Sequence, residues 1–364
     1  MFQAKKSKYL LACATLVLLA AGCGSSPQDN ASSGSGSTGP LAGKKILFSP
    51  YWLDNFGTAT ASWVVRGLEA EGAKVDVTNS NGVATKQLNT LETAMSSRNY
   101  DGIIWQPNDK VGAPINIKKI IDAKIPQVVM GSNVKQPGLN FSQSPVDYAV
   151  AYTAAGEAAA KYIKAHPELG PPAIAFQNLS PISTNINAEF EGLVRGVRKI
   201  SPEAKVVYNE GASSQAQAMS KMTDFISRNI PFNIFAGGGS LMSLGGISAI
   251  NAAGLGGAVN KVPEHVYMMS ADGTPPELAY LWSPTSSLMR SIVLPPKDTA
   301  TAVIKLITDE LTGKVAYNET AIIPHNYSPL TPDCNKERPY MLQQFAGVPN
   351  FTVPSCSFKY TEEG

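Results

Sequence analysis

KILFS at residues 45–49, AKVDVT at 73–78, GIIW at 102–105 and QVVM at 127–130 are four short apolar runs rich in branched side chains. Each has the length of a strand and not of a helix. Between them the spacing changes. Residues 58–71 place Trp63, Val64, Gly67 and Leu68 on one helical face, and Gly72 ends that helix. Residues 85–97 and 115–123 read as helices in the same way. Strand and helix therefore alternate with short connections, which predicts a parallel, doubly wound sheet.

The pattern then starts again. A long Ala-rich helix is expected at 146–165, then AIAF at 173–176, a helix at 187–199, KVVY at 205–208, a helix at 215–229, NIFA at 233–236, a small-residue helix at 241–253 and VYMMS at 266–270. A strand at 288–293 leads into a helix at 299–311. The expected fold is α/β, with two doubly wound parallel-sheet lobes, broken near residues 141–146. In such sheets ligands sit beyond the carboxyl ends of the strands. The residues just after each strand are therefore the site candidates: Tyr51, Trp52, Asp54, Asn55 and Phe56; Gln106, Asn108 and Asp109; Ser132 and Asn133; Gln177 and Asn178; Gly239 and Ser240; Ala271 and Asp272.

Residues 1–22 have the form of a bacterial export signal. Lys5, Lys6 and Lys8 precede a short apolar region from Tyr9 to Ala21. That region is too short to remain as a membrane span. It ends in Leu19-Ala20-Ala21-Gly22-Cys23, which resembles the lipobox of bacterial lipoproteins, with Leu one place earlier than the common form. Cys23 is the expected lipidation site. Residues 23–42 are mostly Ser, Gly and other polar residues, a composition that makes a flexible tether. The expected location is extracytoplasmic, on the periplasmic side or the cell surface, held to a membrane by acyl chains.

The formal net charge of +2 owes much to the leader. Without residues 1–22 the chain keeps 27 basic against 28 acidic residues. A stripe of phosphate-binding cations is thus not expected, and nucleic acid is excluded as a main partner. The four cysteines sort by position. Cys13 lies in the leader and Cys23 ends it. Cys334 and Cys356 are then the only pair left, and export permits them to bridge. Their spacing and the scarcity of nearby His do not suit a zinc site, so no metal and no cofactor are expected.

Three motifs carry a resemblance to a known family. They are Ile103-Ile104-Trp105-Gln106-Pro107-Asn108-Asp109, Ile125-Pro126-Gln127-Val128-Val129, and Asp272-Gly273-Thr274-Pro275. With their order and spacing, the chain from about Lys44 to Pro324 resembles the type I periplasmic sugar-binding proteins, relatives of the ribose and galactose binders. The resemblance implies two lobes joined by a multi-strand hinge. Residues 43–143 with 294–322 would form the N-terminal lobe, and 144–293 with 323–364 the C-terminal lobe and its extension. It also implies a monomeric solute-binding protein that presents its ligand to an ABC permease.

Carried over residue by residue, Asp272 falls on the turn whose Asp binds sugar hydroxyls. Phe56, with Tyr51 or Trp52, falls where aromatics flank the sugar ring. Asn187 falls where relatives commonly hold an Arg. Ser132 and Asn133 replace a frequent Asp-Arg pair, and Gly237-Gly238-Gly239-Ser240 replaces a polar pair. Asp109, Asn108 and Trp105 complete a recipe of hydroxyl-binding groups and a ring-covering face. The thinned charge set points to a small neutral polar ligand, a sugar or polyol. A receptor feeding a membrane sensor, or a binder of a non-sugar small molecule, is the alternative.

An enzyme is not expected. His166, His265 and His325 lie outside the predicted cleft, so no base is available for a Ser-His-Asp arrangement. Ser240 lacks the nucleophile elbow. The triple glycine before it lacks the Lys-Ser/Thr of a phosphate loop.

Overall fold

The computed structural model describes residues 38–107, 112–179, 184–317, 319–324 and 328–360. Residues 1–37, with the expected leader, the expected lipidation site Cys23 and most of the expected tether, lie outside the described residues, as do Asn108 and Asp109.

The first sheet is built from β1 (Lys45–Ser49), β2 (Lys74–Val77), β3 (Gly102–Trp105), β4 (Gln127–Met130) and β5 (Ser142–Ser144). Its order is β2-β1-β3-β4-β5, and every pairing is parallel. The crossovers are α1 (Asn55–Ala70), α2 (Ala84–Ser97) and α3 (Ala113–Asp122). Strands β3 and β4 are buried along their whole length. That explains why they read as unbroken apolar runs: a parallel strand with helices on both faces has no polar side.

The second sheet takes β6 (Ala173–Leu179), β7 (Lys205–Ala212), β8 (Ile234–Gly237), β11 (Tyr267–Ala271), β12 (Leu288–Val293) and β13 (Ser328–Leu330). The order is β13-β12-β11-β8-β6-β7, and only β13 runs antiparallel. Its helices are α4 (Tyr148–Ala165), α5 (Thr184–Ile200), α6 (Gln215–Ser227), α7 (Ser240–Ala252) and α8 (Pro275–Leu281). A small hairpin of β9 (Ala258–Val259) and β10 (Val262–Pro263) sits between α7 and β11. The fold is thus α/β with two doubly wound sheets, as the repeated pattern predicted. Elements not legible beforehand include the three-residue strand β5, the β9–β10 hairpin, the seven-residue helix α8, the edge strand β13 and the helix that follows it.

The chain passes between the sheets at β5 to α4, at β12 to α9 (Pro296–Leu311), and on the way from α9 to β13. Helix α9 returns to the first sheet, where Ala300, Val303, Leu306 and Ile307 join Ile46, Phe48, Val64 and Val128 in one apolar cluster. Gln143 pairs with Ile322, and Ser144 Oγ donates to Ile323 O at 2.8 Å, so the outer crossings lie side by side. Helices α4 and α5 pack through small residues. A Cβ on Gly196 would stand 2.0 Å from Thr153 O, and one on Gly192 2.5 Å from Ala149 O.

After β13 comes an extension. Helix α10 (Cys334–Gln344) is capped by Asp333, whose carboxylate accepts from Lys336 N. Cys334 and Cys356 form the expected disulfide across 22 residues. Trp282 is buried at 2% exposure among the apolar residues beneath this extension, so it is a packing residue.

Candidate functional site

The carboxyl ends of β1, β3, β6, β8 and β11 converge on a cavity of about 100 Å³. The first sheet supplies Tyr51, Trp52, Asp54 and Phe56 from the loop after β1 and the start of α1, and Gln106 and Pro107 from the loop after β3. The second supplies Leu179, Glu189, Gly238, Gly239, Ser240, Leu241, Met242 and Asp272. Tyr148 and Leu294, at two of the crossings, complete the wall.

Local chemistry fixes these groups. Asp54 is the N-cap of α1, and its carboxylate accepts from Gly57 N at 2.8 Å. This is the ordinary use of an Asp at a helix start, where backbone N–H groups lack partners. Tyr51 N donates to Gln106 Oε1 at 3.2 Å, which ties the loops after β1 and β3 together. Gln87 Nε2 supports the second loop by donating to Gln106 O at 2.8 Å. The rings of Tyr51 and Trp52 lie 5.4 Å apart at 41°. Gly82 stands against the Trp52 indole, since a Cβ there would come 2.1 Å from Nε1.

The Asp272 turn does two things at once. Asp272 and Gly273 both adopt positive φ, at 74° and 61°. This turn delivers Thr274 as the N-cap of α8, in a capping box with Glu277 and with Pro275 in the first turn. It also leaves the Asp272 carboxylate facing the cavity, where Oδ2 accepts from Ser240 N at 2.7 Å. Ser240 Oγ lies 3.0 Å from Thr274 Oγ1, and Glu277 Oε2 accepts from Thr274 N and Oγ1 at 2.7 and 2.8 Å. The glycines before Ser240 have a steric cause. A Cβ on Gly237 would meet Ser243 N at 2.5 Å, and Gly239 sits at φ 82°.

Burial dominates the electrostatics. It pushes the Asp272 carboxyl up to about 7, helped by the nearby Asp54 charge and opposed by the Ser240 N–H. It also raises Asp54, against the Gly57 N–H, and holds Glu277 well above the usual carboxylate range. The described lining contains three carboxylic acids and no Lys, Arg or His. No group of three metal-ligating side chains occurs among the described residues.

Of the residues singled out from sequence, Tyr51, Trp52, Asp54, Phe56, Gln106, Gly239, Ser240 and Asp272 line this cavity. Trp105 does not. It is 1% exposed, on the face of β3 covered by α2 and α3, and its N–H donates to Gln127 Oε1 at 3.1 Å. Asn133 is exposed and does not reach the wall. Asn187 is turned away. Positions two apart on a helix point about 200° from each other, so with Glu189 on the cavity side Asn187 donates to Glu191 Oε1 at 2.7 Å instead.

Glu189, Tyr148, Leu241 and Met242 were not expected. Glu189 did have a signal. It lies four and eight residues before Leu193 and Val197, so an acid stands in line with a buried apolar face, and it is itself 2% exposed. Tyr148 had none that is local. Its hydroxyl donates to Gly131 O at 2.7 Å, a partner in the other sheet's last turn.

Several solved structures share this fold. The periplasmic binding protein component of the arabinose ABC transporter from Shewanella sp. ANA-3, bound to L-arabinofuranose, superposes with a TM-score of 0.69 at 19% identity, over 85% of this chain and all of that one. An ABC transporter solute-binding protein from Bacillus halodurans C-125 with bound myo-inositol gives 0.66 at 20% identity, over 83% and 98%. A Mycobacterium smegmatis protein in complex with β-D-fucofuranose gives 0.69 at 16% identity, over 84% and 97%. No curated protein sequence matches the chain. The family model described as periplasmic binding protein domain matches residues 46–315, most of the chain, and the chain therefore belongs to the periplasmic binding protein family, whose members bind solutes for transport and are not enzymes.

Proposed function

We propose that this protein is the extracytoplasmic solute-binding component of an ABC importer and takes a small, neutral polar ligand, a sugar or polyol. One observation carries the reading: a cavity at the strand ends is walled from both sheets by aromatic rings and by hydroxyl-binding groups, with no cation among its described residues. Tyr51, Trp52 and Phe56 offer apolar faces to the C–H side of a ring. Asp272, Asp54, Gln106 and Glu189 offer acceptors for hydroxyl protons, and Gln106 also donates. Residues 43–143 with 294–322 would act as one lobe, and 144–293 with 323–364 as the other. A ligand touching both stabilises the closed arrangement by its differential contacts there. Cys23 would carry lipid, with the tether between membrane and a monomeric body ending before the expected bound at 42, since Leu41 is already buried in the first sheet's apolar cluster and its N–H donates to Glu71 O at 2.9 Å. The arabinofuranose, myo-inositol and fucofuranose named for the similar structures are consistent with a polyhydroxylated ligand.

The test is a thermal-shift panel of pentoses, hexoses, inositols, linear polyols, nucleosides, amino acids and amino sugars. A ligand present at a hundred times its Kd adds about 2.7 kcal/mol of stability, a readily measured shift. A response confined to nucleosides or amino acids overturns the ligand class. A response confined to amino sugars moves it to a cationic ligand, which the three carboxylic acids of the wall could also hold. The anchor is tested separately: Cys23→Ser should release the protein from the membrane fraction.

A further inference from the structure

We infer that the C-terminal extension is an interlobe strap that holds the two lobes close in the ligand-free protein and so sets how far the cleft opens. The inference rests on the reading of the molecule as two lobes that close around a ligand. The extension lies wholly beyond residues 46–315, the part matched by the family model, so nothing in the family match accounts for it.

The strap is held to the two sheets by different forces. Toward the second sheet its grip is apolar. Cys334, Met341, Phe345, Val348 and Val353 are each at most 7% exposed and share one cluster with Leu278, Leu281, Trp282 and Leu288. The Cys334–Cys356 disulfide closes the segment on itself, and Arg338 Nε donates to Pro354 O at 2.7 Å within it. Toward the first lobe Ala59 and Trp63 of α1 join the edge of that cluster, and the rest of the grip is polar and centred on Gln344, which is 1% exposed. Trp63 Nε1 of α1 donates to Gln344 O at 2.7 Å. Gln344 Oε1 accepts from Lys297 N at 3.0 Å, capping α9 where that helix lacks a side-chain cap of its own. Gln344 Nε2 and Tyr340 Oη both donate to the Asp298 carboxylate, at 3.1 and 2.9 Å. Arg66 reaches Ala346 O at 2.9 Å.

Where the strap passes, direct contact between the lobes is loose. A groove of about 600 Å³ is bordered by Asn55 and Thr58 of α1, by Pro275, Pro276 and Ala279 of α8, and by strap residues 349–352 and 354. Rotation that moves α1 and α9 away from α8 must therefore break the Gln344 contacts or peel the apolar face. The first-lobe side is the one that yields, because water can replace its hydrogen bonds and only Ala59 and Trp63 add apolar contact there, against the larger apolar face toward the second sheet.

The experiment is small-angle scattering of the ligand-free full chain, wild type against Gln344→Ala and against Trp63→Phe/Gln344→Ala. Neither variant touches the cavity wall. Far-ultraviolet circular dichroism and cooperative urea unfolding are recorded on each to show that the fold is kept. A larger radius of gyration in the variants, beyond the scatter of repeat measurements, is the expected result. A radius equal to wild type in folded Gln344→Ala overturns the strap, and so does a variant that widens only by losing its cooperative urea transition. Myo-inositol and L-arabinose serve as ligand probes in the same series. If either compacts the wild type while Gln344→Ala matches it in radius without ligand, the strap fails and the binding reading stands. If neither compacts any form but the variants are still wider, the strap stands and myo-inositol and L-arabinose are excluded as ligands, with the ligand class left to the thermal-shift panel.

Discussion

Glu310 offers a test of the interior that does not depend on the ligand. It lies in α9 at 9% exposure, and Oε2 accepts from Gln127 N at 3.2 Å. Burial raises its carboxyl from an ordinary 4.5 to about 7, against hydrogen bonds from Ser142 and Gln127. A gap of about 2.5, at about 1.4 kcal/mol for each pH unit, corresponds to about 3 kcal/mol. The folded state binds more protons than the unfolded state between pH 4.5 and 7, so this group makes the protein less stable as pH rises through that window and levels off above it. Glu310→Gln keeps the shape and the acceptor toward Gln127 but cannot ionise. Urea unfolding followed by tryptophan fluorescence, at several values from pH 4.5 to 8, should show the variant gaining about 3 kcal/mol on wild type between the two ends. A difference that stays constant within about 1 kcal/mol across that range would refute the reasoning. It would mean that Glu310 is solvated or paired in a way the buried α9 interface does not provide.

Asp272→Asn should lower affinity for the ligand at least tenfold, about the worth of a charge-assisted hydrogen bond, while ligand-free stability above pH 7 stays level or rises because a buried carboxylate is gone. Isothermal titration and thermal unfolding together read this, and a parallel loss of both would point to a structural role alone. Cys356→Ser should cost about 3 kcal/mol by the chain-entropy estimate for a loop of this length, and wild type under reductant should match it in calorimetry. Gly196→Ala should cost about 1–3 kcal/mol by forcing α5 off α4. A variant that unfolds at higher urea than wild type would show that the two helices do not approach as closely as the 2.0 Å contact with Thr153 O requires.

The α/β alternation was legible because it is local. Buried parallel strands such as GIIW and QVVM must be apolar on both faces, and the helices between them must be apolar on one, so each element marks itself within a few residues. Short elements carried no such mark. SQS at 142–144 becomes β5 by pairing with β4, and the polar α10 is placed by its cysteine, Met341 and the Gln344 contacts, not by periodicity. The site divides in the same way. Tyr51, Trp52, Phe56, Gly239, Ser240 and Asp272 could be named in advance because strand ends point to the cleft in any doubly wound sheet. Trp105 shows the limit of that rule, since the last residue of a central strand can still face a helix layer. Glu189 and Tyr148 lie within helices, so no strand-end rule could find them.

Element order and the strand-end loops thus follow from residue patterns that act over a few positions. The approach of Asp54 to Asp272, the elevation of Asp272 to about 7 and the seating of Gln344 at the start of α9 do not. They arise from groups tens to hundreds of residues apart, brought together by the crossings between the sheets. Their energetics come from the exclusion of water there, which no stretch of sequence specifies by itself.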